Sequence, residues 1–139
     1  MIVLDTNVLS ELLRPAPAPH VLAWFGRQAR AALFTTALTR GEMLYGVRLL
    51  PAGARRDGLG EAVLAMFDVD FSGRVLNFDA DAADAYAELA AARRQSGAPI
   101  SQVDAMIAAI ARSRGATVAT RNVKDFVDCG IELVDPWAD

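Results

Sequence analysis

The sequence predicts an α/β fold, a three-layer domain with a central parallel sheet of four to five strands flanked by helices. Three observations predict it. Short apolar runs rich in β-formers recur along the chain, helical periodicity fills the intervals between them, and 139 residues suit a single domain, 1–139, with one core. Strands separated by helical stretches pair in parallel, because each crossover helix carries the chain back over a face of the sheet.

Ile2-Val3-Leu4 is the first strand, and it passes straight into a helix: from Thr6 through Arg14, Val8, Leu9, Leu12 and Leu13 fall at helical spacing. Pro15, Pro17 and Pro19 stop that helix, and the next runs from Val21 to about Arg30 around Leu22, Trp24 and Phe25. Ala32 to Thr36 (ALFTT) is a second strand. After Ala37-Leu38 comes a helix holding Met43, Leu44, Val47 and Leu50, ended by Pro51 and Gly53. A helix over Leu59 to Phe67 leads to a third strand, Arg74 to Phe78. The Ala-rich stretch that follows is a helix with Asp79 as N-cap and Gly97 as its stop. A further helix runs from about Ser101 to Ser113, before Gly115; Thr117 to Thr120 (TVAT) is a fourth strand and Ile131 to Val134 the fifth. No repeat, low-complexity tract or linker divides the chain, and PAPAP reads as a loop.

Composition excludes several classes. Apolar residues make up 53%, yet none of their runs approaches the roughly 18 that span a bilayer, and the first residues lack a basic signal region, so an untargeted cytoplasmic protein with no membrane partner is expected. With one Cys (Cys129) and one His (His20), neither a disulfide framework nor an all-protein zinc site can form. A net charge of −3 argues against broad electrostatic binding of nucleic acid.

The acids carry the chemistry. In an open parallel sheet the carboxyl ends of the strands and the N-termini of the helices share one edge, and ligands bind there. Asp5 ends the first strand, Glu42 lies in the first turn of the helix after the second, Asp104 opens the helix before the fourth, and Asn122 and Asp125 follow the fourth. Thr39-Arg40-Gly41-Glu42 also reads as a capping box, and Ser101-Gln102-Val103-Asp104 as its Asp variant, so either acid alone could simply cap its helix. Asp5 resists that reading, because it closes a buried apolar strand, where an ionised carboxylate needs a partner. Four such acids repel one another unless a cation joins them. An oxygen-only donor set selects a hard ion, Mg²⁺ or Mn²⁺, which activates water and neutralises charge on a phosphoryl group. A bound cation then answers the net-charge objection, with Arg40, Arg121 or Arg14 holding flanking phosphates.

Four segments, IVLDTNVLSELLRP, TRGEMLYG, QVDAMIAAIA and VATRNVKDF, in that order across nearly the whole chain, resemble the PIN-domain ribonucleases. More narrowly they resemble the VapC-type toxins, including the FitB-like branch, to which the closing DPWAD is also similar. The resemblance implies a PIN-like fold and a metal-dependent endoribonuclease, the toxin of a type II toxin–antitoxin pair. It implies Asp5, Glu42 and Asp104 as catalytic and metal-binding acids, an RNA substrate, a homodimer and a cognate antitoxin. Thr6, Asn7, Thr120 and Asn122 would support the acids, Thr6 and Asn7 by bracing Asp5 and starting the helix. Many relatives carry an acid where Asn122 stands; the nearest acid here is Asp125, which is expected to complete the site, with Asn122 orienting it or a metal-bound water.

Rival readings differ in particular residues. An inactive PIN fold serving only as partner of a DNA-binding protein would fit the departure at Asn122. A receiver-type phosphoacceptor domain wants an acidic pair after the first strand, where only Asp5 stands; a haloacid-dehalogenase-like phosphatase needs an acid at position 7, which is Asn; and a P-loop is missing. Trp24 and Trp137 read as packing residues, Cys129 as a partly buried thiol, His20 as a solvent-facing helix start, and the Arg55-Arg56 and Arg93-Arg94 pairs as solvated faces.

Overall fold

The computed structural model describes residues 1–138. Five short strands, β1 (Ile2–Leu4), β2 (Leu33–Thr36), β3 (Val75–Leu76), β4 (Thr117–Ala119) and β5 (Leu133–Val134), form one all-parallel sheet in the order β3-β2-β1-β4-β5. Six helices cover it: α1 (Thr6–Leu12), α2 (Pro19–Arg27), α3 (Ala37–Arg48), α4 (Ala54–Ala65), α5 (Ala80–Gln95) and α6 (Gln102–Ser113).

Alternation along the strands feeds two cores. Val3 and Val118, in register with each other, point to the layer holding Leu89, Ile107, Ile110 and Phe126, whereas Leu4 and its partner Ala119 point to the layer holding Leu9, Trp24, Met43 and Phe67. Both faces of β1 are fully buried, as a central parallel strand requires. The chain winds outward from β1 to β3 on one side and returns to the other side of β1 for β4 and β5, so the strand order reverses between β1 and β4. Such a reversal opens a crevice at the carboxyl ends of those two strands. Among the described residues no helix is long and apolar enough to cross a membrane.

Several boundaries differ from the sequence expectation for identifiable reasons. α1 stops at Leu12, and α2 begins at Pro19, whose fixed φ and missing N–H suit a first helical position. It ends at Arg27, and a 3-10 turn, Arg30–Ala32, leads into β2. α4 starts five residues before Leu59, after Gly53 at φ +153°, and passes into a π-helical turn, Met66–Asp70. Gly58 and Gly60 sit inside α4 despite their poor helix propensity, and Gly60 faces Val47 of α3, whose Cγ1 would stand 3.4 Å from a Cβ added there. β3, β4 and β5 are each shorter than the apolar runs that contain them.

Arg93 is the largest departure, since it is 6% exposed and not on a solvated face. Its Nε donates to the Ala98 carbonyl at 2.6 Å, and its Nη1 donates to the carbonyls of Asp125 (3.0 Å) and Val127 (2.9 Å). One guanidinium thus ties the end of α5 to the 3-10 turn Val123–Phe126 that follows β4. Arg93→Met leaves three carbonyls without their donor and should lower unfolding free energy by about 2–4 kcal/mol, against under about 0.5 kcal/mol for the exposed Arg94→Met. Urea unfolding of both variants checks this, and equal small effects would contradict it.

Candidate active site

Asp5 is the N-cap of α1, at the point where β1 leaves the sheet. Its backbone N–H donates to the Ala119 carbonyl at 2.9 Å, which holds it against the end of β4. Its carboxylate is 5% exposed and accepts three hydrogen bonds: Oδ1 from the Thr6 N–H (2.8 Å), Oδ2 from the Thr120 hydroxyl (2.9 Å) and from Asn7 Nδ2 (3.3 Å). Asn7 reaches further, donating to Thr120 Oγ1 (3.3 Å) and accepting the Arg121 N–H at its Oδ1 (3.2 Å), while Thr120 Oγ1 also accepts the Asn122 N–H (3.1 Å). The three supporting residues therefore lock the carboxylate of β1 onto the turn after β4. Burial nevertheless pushes the Asp5 pKa up to about 6 against these bonds, and the charges of Asp104 and Glu42 push it the same way.

Glu42 arrives by a different route from the one its sequence context predicts. Thr36, not Thr39, caps α3, accepting the Thr39 N–H at 3.1 Å, so Glu42 stands in the second turn and closes no capping box. Its Oε1 instead accepts the Thr6 hydroxyl at 2.6 Å, a bond across 36 residues that fixes α3 to α1. Thr39, fully buried, has its hydroxyl 3.4 Å from that of Thr6. Asp104 does lie in the first turn of its helix, and Ser101 caps that helix through the Asp104 N–H (3.3 Å). Burial, followed by Asp125 and Glu42, raises the Asp104 pKa.

These groups face one pocket of about 550 Å³, walled by Asp5, Thr6, Asn7, Glu42, Asp104, Arg121 and Asn122. Asp125 is not on that wall; it sits in the 3-10 turn behind Asn122, exposed, and reaches the cluster through its repulsion of Asp104. Nor is Arg40, which is bonded to Asp68 at 2.6 Å beside the Phe67 ring. The wall also holds Ser10, Glu11, Arg14 and Trp137. Glu11 accepts the Ala18 N–H at 2.9 Å and pairs with Arg14 at 3.2 Å, so it pins the PAPAP loop; the Ala18 bond first, then Arg14, holds its carboxyl below the usual range. Its burial has no local signature, because Ala18 lies beyond the end of the helix. Trp137 packs, half-buried, against the core layer that holds Trp24, as expected, and it also stands on the pocket wall with Arg121 over its ring.

Among the described residues the salt bridges are Arg14–Glu11, Arg40–Asp68, Arg112–Glu88 and Arg114–Asp79, and none reaches Asp5, Glu42, Asp104 or Asp125. Among the same residues no three acids converge into a ready-made cage. Asp5, Glu42 and Asp104 offer the pocket oxygen donors of the kind a hard divalent ion takes.

A family model described as PIN domain matches residues 2–129. The chain belongs to the PIN domain family. It is 43% identical over 137 residues to the plasmid stability protein StbB of Pseudomonas syringae pv. tomato, with 99% of each chain covered. It is 41% identical to the VapC ribonuclease Y4jK of Sinorhizobium fredii, covering 99% of this chain and 98% of that one. The crystal structure of FitAcB from Neisseria gonorrhoeae superposes with a TM-score of 0.92 at 36% identity, covering 99% of both chains, and the toxin FitB of that organism is 37% identical over all 139 residues. Within the PIN family the chain is thus of the VapC type, on the FitB-like side, as its four motifs indicate.

Ionisation of Asp5 opposes folding of the metal-free PIN domain, because its folded pKa of about 6 lies above the ordinary 3.8. The unfolded chain ionises first, so the penalty is absent below about pH 4, grows through pH 6 and is complete above it. Asp5→Asn should therefore stabilise the protein by about 1–3 kcal/mol near pH 7.5 in EDTA, with the gain vanishing near pH 4. Thermal unfolding across that range checks the sign; a variant less stable than wild type near pH 7.5 would contradict it.

Proposed function

We propose that this protein is a metal-dependent endoribonuclease, the toxin of a type II toxin–antitoxin pair. The observation that carries this reading is the pocket at the β1/β4 reversal, into which three remote segments deliver Asp5, Glu42 and Asp104, none of them paired with Arg or Lys among the described residues. Kinship with proteins named VapC ribonuclease and toxin FitB supports RNA as the substrate and an antitoxin as the partner.

Asp5 and Asp104 would hold Mg²⁺ or Mn²⁺, with Glu42 and Asp125 adding negative potential. When bound, the ion supplies Lewis-acid activation of water and neutralises charge developing on the phosphoryl oxygens. Thr120, Asn7 and the Thr6 N–H keep the Asp5 carboxylate in one orientation, and the Thr6 hydroxyl does the same for Glu42. Neither His20 nor Cys129 is on the pocket wall, so hydrolysis by water, with no covalent enzyme intermediate, suits these residues.

Two surfaces suit the proposed partners. A groove of about 660 Å³ between α1, α3 and α4, lined by Leu13, Met43, Val47, Leu59 and Val63, shares Thr6, Ser10, Arg14 and Glu42 with the acid pocket. An apolar antitoxin segment laid there could place a basic side chain among the acids. Tyr45 on α3 and Leu49, the C-cap one turn further on, are 66% and 67% exposed and offer an apolar patch for a homodimer about a two-fold axis.

Purified protein should cut RNA in Mg²⁺ or Mn²⁺ and stop in EDTA. Asp104→Asn should lose at least about a hundredfold in rate, and Asp125→Ala should raise the Mg²⁺ requirement more than Asn122→Ala. Cleavage unchanged in EDTA would refute the mechanism. The opposite ranking of the last two variants would give the fourth position to Asn122.

A further inference from the structure

Arg14 and Arg121 both stand on the wall of the acid pocket, but they are held differently. Arg14 is bonded to Glu11 at 3.2 Å. Arg121 forms no salt bridge among the described residues; its guanidinium carbon lies 5.0 Å from the centre of the Trp137 ring. Its charge also acts on Glu11 across the pocket, but without an ion pair, and an indole face holds a cation without cancelling its charge, so Arg121 keeps its donors for an anion.

Both members are anchored. Arg121 is the second residue after β4, and its N–H donates to Asn7 Oδ1 at 3.2 Å, the same side chain that braces Asp5. Trp137 follows β5 in a turn closed by Asp135, whose Oδ1 accepts the Trp137 N–H at 2.9 Å and whose carbonyl accepts the Ala138 N–H at 3.1 Å. β4 and β5 pair in parallel, which brings the two residues to the same carboxyl edge, beside Asn122 and the acids.

From this geometry we infer that Arg121 on Trp137 is a nucleotide subsite for single-stranded RNA: the guanidinium takes the phosphate next to the scissile one, and a neighbouring unpaired base stacks on the Arg121–Trp137 pair. The inference rests on the ribonuclease reading and deepens it. A duplex keeps its bases stacked inward and cannot offer one to such a platform, whereas any unpaired base has a π-face to give. The last strand and the tail after it thereby become part of the substrate site, and the pair sets a preference for strandedness rather than sequence.

The test is fluorescence anisotropy of a 5′-fluorescein 12-nucleotide RNA in Mg²⁺, with the full chain carrying Asp104→Asn to block cleavage, and kcat and KM of the same substitutions without Asp104→Asn. Trp137→Ala and Arg121→Gln should each weaken binding of the single strand about tenfold, Trp137→Phe by less than about threefold, and the Trp137→Ala/Arg121→Gln double variant hardly more than either single one. The loss should appear in KM rather than kcat, and the same RNA annealed to its complement should bind weakly and respond little. Arg121 is exposed, so Arg121→Gln keeps the test valid should Trp137→Ala unfold. If Arg121→Gln weakens single strand and duplex alike while Trp137→Phe and Trp137→Ala match the parent, the site is a plain phosphate contact and the inference is overturned. Parental affinity in every variant also overturns it and leaves the ribonuclease reading intact. Failure of wild type to bind or cut any RNA removes both.

Discussion

A carboxylate buried at the end of a central strand is the constraint on which this structure turns. Asp5 cannot be moved to solvent without unwinding β1 from between β2 and β4, and it cannot be ionised there without support. The fold supplies that support from three directions: the first N–H of α1, the amide of Asn7 and the hydroxyl of Thr120. Those bonds do not fully offset burial, and the carboxyl stays poised near pH 6. A group held at that balance is one that a divalent cation can tip, and this is the physical basis of the metal site proposed at the β1/β4 reversal.

The support is made of small hydroxyl and amide groups, and their placement follows the sheet order. Thr120 is 115 residues from Asp5 in sequence but adjacent to it because β1 and β4 pair. Thr6 and Thr36 repeat the device around Glu42: one hydroxyl holds the carboxylate, and the other caps the helix that carries it. Arg93 acts at a greater remove, fixing the backbone of the turn that contains Asp125. Substitutions in this shell should therefore affect the proposed metal site more than the fold, apart from Arg93, whose burial makes it structural as well.

Much of this was legible from the residues. The apolar runs located all five strands, since parallel strands buried on both faces cannot hide their composition, and Asp79, Ser101 and Gly97 marked helix ends by their own chemistry. The convergence of Asp5, Glu42 and Asp104 followed from the rule that strand ends and helix starts share an edge. What local pattern could not give were features set by distant partners. Thr39 and Glu42 have capping-box spacing, yet the upstream Thr36 takes the cap because α3 begins directly at the end of β2. Arg93 looks like half of a solvated pair until the carbonyls of Asp125 and Val127 close over it, 32 and 34 residues away. Trp137 does pack against the core, but its contact with Arg121 has no local signature, because it depends on β5 lying beside β4.

The most direct test of the account is the ionisation of Asp5 itself, followed by the carboxyl ¹³C shift in a selectively labelled protein, titrated with and without Mg²⁺. Asp5 should show an apparent pKa near 6 in the metal-free protein, falling by at least about one unit when Mg²⁺ is added, because a bound cation favours the charged form. An Asp5 that titrates near 3.8 in both conditions would contradict the claim that its burial and its neighbours make this edge of the sheet a metal site.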